Sequence, residues 1–319
     1  MGKSNISIII PTYNKKNRIK YLLKSLELQS KAVDFNIIIV DDGSIDGTDE
    51  NIYLYKEKLK LDYIKIENSG RSHARNVGIE CSDTKYLIFC DDDMILPIDF
   101  IEKHYQLLES NSDALIHGKI YNLPFASFFD DPEYGTLVSQ KKHLQNEIKH
   151  LLKYKLNMDD VCHQENLLSQ RRITMQEKYI KRIYEKDIKQ LFFLLCTGGN
   201  FSCKRENVVS IGMFDENIDV AWGVEDLELG YRFMMTGKQM IYADEAYNYH
   251  ISHYREDYAQ ALIGSCELFY QKHQNPILAK LPDLLLKKIN LVLKPSCQQI
   301  RQRCFQKILY WKNQILIKL

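Results

Sequence analysis

Short runs of apolar, often β-branched residues alternate with helical stretches from Ile6 to Tyr121, and this alternation constrains the fold more than any other feature. Ile6–Ile10 ends at Pro11 and reads as a buried parallel strand. Arg18–Gln29 follows, with Ile19, Leu22, Leu23 and Leu26 at helical spacing. Phe35–Val40, Tyr63–Ile66, Tyr86–Cys90 and Ala114–Tyr121 are further predicted strands, and Thr48–Lys58, Ser72–Glu80 and Pro97–Ser110 the helices between them. Such a series predicts an α/β fold with a mostly parallel, doubly wound central sheet flanked by helices.

In sheets of this kind ligands bind beyond the carboxyl ends of the strands. The polar residues fall there: Thr12 and Tyr13 after the first strand, Asp41 and Asp42 after the second, Asn68 after the third, Asp91-Asp92-Asp93 after the fourth. Three adjacent carboxylates repel one another, and a divalent cation relieves the repulsion. Oxygen ligands suit Mg²⁺ or Mn²⁺, which complete their coordination with substrate phosphates. A solvated acidic turn ahead of a helix at Pro97 would use the same residues, and Asp42-Gly43-Ser44 has the composition of a plain turn. Four successive strand ends dressed alike favour a shared ligand site.

Composition narrows the class. Lys and Arg number 43 against 42 Asp and Glu, a net charge of +1, so no overall field draws the chain to nucleic acid. Eight cysteines without a C-x-x-C pair point to a reduced, cytoplasmic setting, with Cys81 and Cys90 as small core residues. The first residues are too weakly apolar for a signal peptide, and no stretch approaches a membrane-spanning length. From about 129 to 190 the chain is charged, with Leu144, Ile148, Leu151 and Leu152 at helical spacing. A solvated helical hairpin is expected there, a lid over an acceptor being the alternative. From Lys280 to Lys318 nine basic residues outnumber one acid, Asp283, on amphipathic segments. These suit peripheral contact with the inner face of a membrane, packing on the rest of the chain, or a homo-oligomer.

Several of these pieces, in order and spacing, resemble the family-2 glycosyltransferases with the GT-A fold. They are Ile9-Ile10-Pro11-Thr12-Tyr13-Asn14, Val40-Asp41-Asp42-Gly43-Ser44, Asn68-Ser69-Gly70 with Ala74-Arg75-Asn76, and Asp91-Asp92-Asp93. Further on come Gly198-Gly199-Asn200-Phe201 and Trp222-Gly223-Val224-Glu225-Asp226. The resemblance runs from about Ser4 to His253. It implies a GT-A domain over 1–253, with a nucleotide-sugar-binding half over 1–125 and an acceptor-side half over 126–253 that carries the insertion. A basic helical region then occupies 254–319.

The resemblance further implies an inverting enzyme that uses a UDP-sugar and Mn²⁺ or Mg²⁺. Pro11, Thr12 and Tyr13 would line the base, Asp41 would accept from a ring N–H with Asp42 nearby, and Asn68 and Arg75 would reach base and phosphates. Asp93 would bind the metal directly and Asp91 would contact ribose or a metal-bound water. Asp92, in an extended segment, would point elsewhere. His250 would complete the metal site, with His253 a nearby rival; a lone histidine after a strand can equally be structural. Asp226 would be the general base and Glu225 would orient acceptor or sugar, although acids at a helix N-terminus also complement its dipole. Gly199 and Asn200 would let backbone approach the donor sugar, and Trp222 would stack on a sugar ring or fill the core.

Two departures bear on substrate. The Gln-x-x-Arg-Trp element of processive synthases is absent, so transfer of one or a few sugars is expected. Val224 stands where galactosyl- and N-acetylgalactosaminyl-transferring relatives have glycine, which leaves Gal, GalNAc, GlcNAc and Glc open. Nothing in the sequence identifies the acceptor, whether glycan, lipid-linked saccharide, teichoic-acid-like polymer or polypeptide. A nucleotide-sugar-binding scaffold without catalysis should lack the acidic metal pair or the base, and both are present. Nucleotidyl transfer would want a Gly- and Lys-rich phosphate loop, which Pro11-Thr12-Tyr13-Asn14 does not supply.

Overall fold

Every residue of the first strand is buried, which is what an unbroken β-branched run at the middle of a sheet requires. The computed structural model describes residues 4–218, 223–254 and 258–286. In chain order β1 (Ile6–Thr12), α1 (Lys16–Glu27), β2 (Phe35–Asp41), α2 (Thr48–Tyr53), β3 (Leu61–Lys65), α3 (Arg71–Cys81) and β4 (Tyr86–Phe89) keep the expected alternation. The helical spacing read in α1 is realised: Ile19, Leu22, Leu23 and Leu26 are buried against β1, β2 and β4 residues. Each such side chain contributes about 1.5–3 kcal/mol of burial. A two-residue strand, β5 (Met94–Ile95), then α4 (Phe100–Ser110) and β6 (Leu115–Leu123) follow.

The segment from 129 to 190 is not a helical hairpin. It holds a small antiparallel pair, β7 (Phe129–Asp131) with β8 (Thr136–Leu137), then short helices α5 (Ile148–Leu151), α6 (Met158–His163) and α7 (Glu165–Gln170). Strand β9 (Arg172–Ile173) and helix α8 (Met175–Glu185) end it. Its apolar residues, Leu156, Val161, Leu167, Ile180 and Ile183, are spaced too irregularly for two long helices and are buried on the main body instead. Next come β10 (Phe201–Lys204), α9 (Arg205–Ser210), α10 (Glu225–Met235), β11 (Met240–Ile251), α11 (Tyr258–His273) and α12 (Leu281–Leu286).

Among the described residues nine strands form one sheet in the order β3-β2-β1-β4-β10-β6-β11-β5, with β9 on β6. Pairs β1–β2, β2–β3, β1–β4 and β6–β11 are parallel, so the sheet is mostly parallel along its first half. It departs from strict parallel winding at β10, which inserts antiparallel between β4 and β6. Phe201 of β10 stacks on Phe89 of β4 at 4.5 Å, so the insertion brings its own aromatic packing. Cys90 is buried as expected, whereas Cys81, at the end of α3, is exposed.

Helices α11 and α12 are not a separate body: Leu262, Cys266, Phe269, Leu281 and Leu285 join the same core cluster as α10. The remaining basic segments lie outside the described residues. No helix among the described residues is long and apolar enough to cross a membrane.

Glycine sets the closeness of α10 to the segment before β10. A Cβ on Gly230 would collide with the Cys196 Cβ and lie 2.6 Å from the Phe193 carbonyl oxygen, which is backbone and cannot yield. Gly264, in α11, has nothing within 4 Å of that position. Gly230→Ala is expected to destabilise by about 1–3 kcal/mol, and Gly264→Ala to stabilise by about 0.5–1 kcal/mol. Chemical denaturation of the two variants checks both signs.

Candidate active site

The acidic triplet reaches its partners through sheet register. Asp93 immediately precedes β5, where Met94 pairs with His250, and the Ile251 N–H donates to the Asp93 carbonyl at 2.8 Å. The chain turns at Asp92 and Asp93 rather than running extended, so Asp92 does not point away from Asp93. Both reach Lys15: its ammonium is 2.7 Å from an Asp93 oxygen and 3.5 Å from Asp92. Burial would raise both carboxyls. Lys15, His250 and His253 hold Asp93 well below the usual carboxylate range. Asp92, buried beside the Asp93 charge, is pushed up to about 6.

His250 and His253 both face Asp93, at 3.6 and 3.0 Å. One atom from each of Asp93, His250 and His253 lies within 4.8 Å of the others. The His250 Nδ1 is 2.8 Å from the Asn122 side-chain oxygen, its register partner across β6 and β11. An oxygen there only accepts, so in the neutral ring Nδ1 carries the hydrogen and the Nε2 lone pair, on the Asp93 side, is free to ligate a cation. The three side chains therefore fit a divalent cation. Two imidazoles in the set suit Mn²⁺ better than Mg²⁺.

A second carboxylate pair is joined to this one by Arg75 of α3. Its guanidinium, 2% exposed, donates to Asp91 at 2.9 Å and to Glu225 at 2.8 Å. Burial opposes the charge on Arg75, but Asp91 and Glu225 outweigh it and hold its pKa above the ordinary value. Glu225, equally buried, is drawn below its usual value by Arg71 and Arg75 despite burial. Asp226 feels the Arg75 charge only at longer range and forms no ion pair within 4 Å among the described residues. The backbone N–H groups of Gly198 and Leu227 donate to its two oxygens, each at 2.8 Å. Burial and the Glu225 charge push it up to about 7.

The glycine pair closes the ring. A Cβ on Gly198 would strike the Arg75 guanidinium, and one on Gly199 would lie 2.5 Å from the Met94 methyl and 3.5 Å from Asp91. Glycine lets this loop pass between Asp91 and Asp226 without displacing Arg75 or Met94. Val224, which precedes Glu225, has φ 67°, a conformation glycine adopts freely and a β-branched residue resists by about 1–3 kcal/mol. Its side chain is buried in the core, which offsets that strain. Trp222 lies outside the described residues.

Other expected contacts come out differently. Asp41 is wholly buried, with one oxygen accepting from the Ser44 N–H and the other from the Tyr63 hydroxyl, both at 2.7 Å. It braces the strand end through both oxygens. Asp42 accepts from the N–H groups of Ser69 and Gly70 and holds that loop in place. Asn68 is exposed and donates to the Asp42 carbonyl. Pro11 and Thr12 are buried beneath, and Tyr13 is half exposed at the rim. Asn200 sits behind the site. It is fully buried and bonded to His104 and the Ala246 carbonyl. Lys15, Asn122 and Thr197 were not singled out from sequence. Their residue types carry no signal, and only the non-local register brings them in.

The model of glycosyl transferase family 2 matches residues 7–186. YfnE of Bacillus subtilis (strain 168), an uncharacterized glycosyltransferase, is 30% identical over 247 residues, 72% of this chain and 60% of its own. The validoxylamine A glucosyltransferase of Streptomyces hygroscopicus subsp. jinggangensis (strain 5008) is 26% identical over 84% of this chain and 61% of its own. The chain thus spans about three fifths of the length of these relatives. Among solved structures, S. aureus TarS 1-349 in complex with UDP-GlcNAc has TM-score 0.51 at 20% identity, covering 82% of this chain and 66% of that one. The mannosyltransferase PcManGT from Pyrobaculum calidifontis, in complex with GDP-Man and Mn²⁺, has TM-score 0.52 at 16% identity, covering 97% and 81%. These two likenesses are of fold. With the family match over more than half its length, the chain belongs to glycosyl transferase family 2 and has the GT-A fold.

Proposed function

We propose that this chain is an inverting glycosyltransferase that moves a hexosyl or N-acetylhexosaminyl group from a UDP-sugar to a nucleophile on its acceptor. The observation that carries the reading is the Arg75 bridge, which puts the Asp91–Asp93 acids and the Glu225–Asp226 pair at one site. Support for the donor class comes from the fold, shared with a protein whose structure holds UDP-GlcNAc.

In this reading Asp226 takes the proton from the acceptor nucleophile. Its carboxyl, pushed up to about 7, is basic enough to accept a proton and is ionised in a large fraction at neutral pH. The Gly198 and Leu227 N–H groups orient it. Glu225 keeps one buried oxygen without a hydrogen-bond partner among the described residues, a place for an acceptor or sugar hydroxyl. Arg75 and Lys15 supply positive charge on the side where the diphosphate leaves. Asp93, His250 and His253 would hold the divalent metal, which when bound neutralises charge on the leaving diphosphate.

Asp226→Asn should retain UDP affinity and lose about 10²- to 10⁴-fold in kcat. Single-turnover assays over a panel of UDP-sugars with Mn²⁺ measure this, and wild-type rates would refute the base. Because the base acts ionised, transfer should rise with pH through a limb near 7. Glu225→Gln removes a like charge from beside Asp226 and should move that limb to lower pH. Asp93→Ala should abolish the Mn²⁺-dependent part of UDP binding in calorimetry, and His253→Ala should weaken it by about ten- to a hundredfold. Unchanged metal dependence in both would remove the metal assignment.

A further inference from the structure

Helix α8, in the insertion, sends one carboxylate into the core beneath the Thr197–Asn200 loop. Glu177 lies in its first turn, where its N–H donates to the Thr174 hydroxyl at 3.0 Å, and it is 3% exposed. The Tyr242 hydroxyl donates to its Oε1 at 2.7 Å, and the His117 Nε2 is 3.2 Å from the same oxygen. A carboxylate only accepts, so in the neutral ring Nε2 carries the hydrogen and Nδ1 is left to accept. That Nδ1 is 3.2 Å from the Thr197 hydroxyl, which donates to it.

Threonine, histidine and glutamate in this order have the make-up of a nucleophile triad. Here His117 is fully buried and Thr197 is nearly so, which closes the hydroxyl to any substrate. What Thr197 does touch is functional. It directly precedes Gly198, whose N–H holds Asp226. The far end of the same loop is anchored independently, with the Gly199 carbonyl on Asn248 and the Asn200 side chain on His104. The near end is tied to the insertion by the Thr197–His117–Glu177 hydrogen bonds, beside the aromatic packing of Phe192 on Tyr184.

We propose that Glu177 is a positioning residue for transfer, acting through His117 and Thr197 to fix the Gly198 N–H against Asp226. The inference rests on the reading of Asp226 as the base. It gives the insertion a second role besides covering the body: one of its side chains sets the geometry of the reacting carboxylate. A displacement on the order of 1 Å at such a group costs about a hundredfold in rate.

The test uses the full chain, with Thr197→Val, Glu177→Ala, Glu177→Gln and Asp226→Asn. Measured are kcat and donor KM from UDP release, UDP affinity with Mn²⁺ by calorimetry, and thermal unfolding. Thr197→Val and Glu177→Ala are expected to lose about ten- to a hundredfold in kcat with donor KM and UDP affinity unchanged. Their double variant should fall no further than the worse single, as members of one chain of contacts do. Glu177→Gln, which keeps an acceptor oxygen for His117, should regain most of the loss. Wild-type kcat in Thr197→Val, or Glu177→Gln as impaired as Glu177→Ala, overturns the proposal. Should Glu177→Ala not fold, Thr197→Val decides alone. If Asp226→Asn retains transfer, the base assignment itself has failed; if Asp226→Asn collapses while Thr197→Val does not, only the brace is wrong.

Discussion

The Arg75 guanidinium is the contact on which the site depends. It is buried between a carboxylate at the end of β4 and another at the start of α10, two elements far apart in the chain. A cation so placed is stable only while its partners remain. Removing one partner from a buried ion pair costs about 3–5 kcal/mol because the other charge is stranded. The same arrangement that makes the guanidinium costly to disturb also places it, fully charged, beside the acids that would face a diphosphate. Stability and chemistry share one side chain.

That bridge divides the carboxylates by environment. Glu225 and Asp93 have cations at hydrogen-bond distance and stay ionised in spite of burial. Asp226 and Asp92 stand next to them with weaker compensation and are pushed upward. Neighbouring acids held in different protonation regimes are the usual way one site separates electrostatic work from proton transfer. Backbone supplies the rest: Gly198 and Gly199 pass close against the Arg75 guanidinium and the Met94 methyl, and an N–H from that loop holds Asp226, the acid proposed to take the proton.

Much of this was legible in the sequence because strand period and strand-end polarity are local signals. The buried runs at Ile6 and Tyr86, the apolar face of α1 and the acids after β4 all declare themselves within a few residues. The contacts that were not legible are those made by register. β10 enters beside β4 from a hundred residues away, and nothing in Phe201–Lys204 says that it runs antiparallel. His250 and His253 stand as rivals in the sequence, and the pairing of β5 with β11 brings both to Asp93. The resemblance implied ligand roles for Asp41 and Asn200, and in the fold both are buried with Tyr63 and His104, distant in sequence, among their partners. The irregular insertion misled for a related reason: its leucines and isoleucines join the core clusters of the main body.

If Asp226 works on the acceptor and never on the sugar, transfer inverts the anomeric carbon. The anomeric configuration of the transferred sugar, read from its proton–proton coupling in the product of a single turnover, tests this most directly. An α-linked UDP-sugar should give a β-linked product. An α-linked product would mean retention, and with it a mechanism that this arrangement of Asp226, Gly198 and Arg75 does not describe.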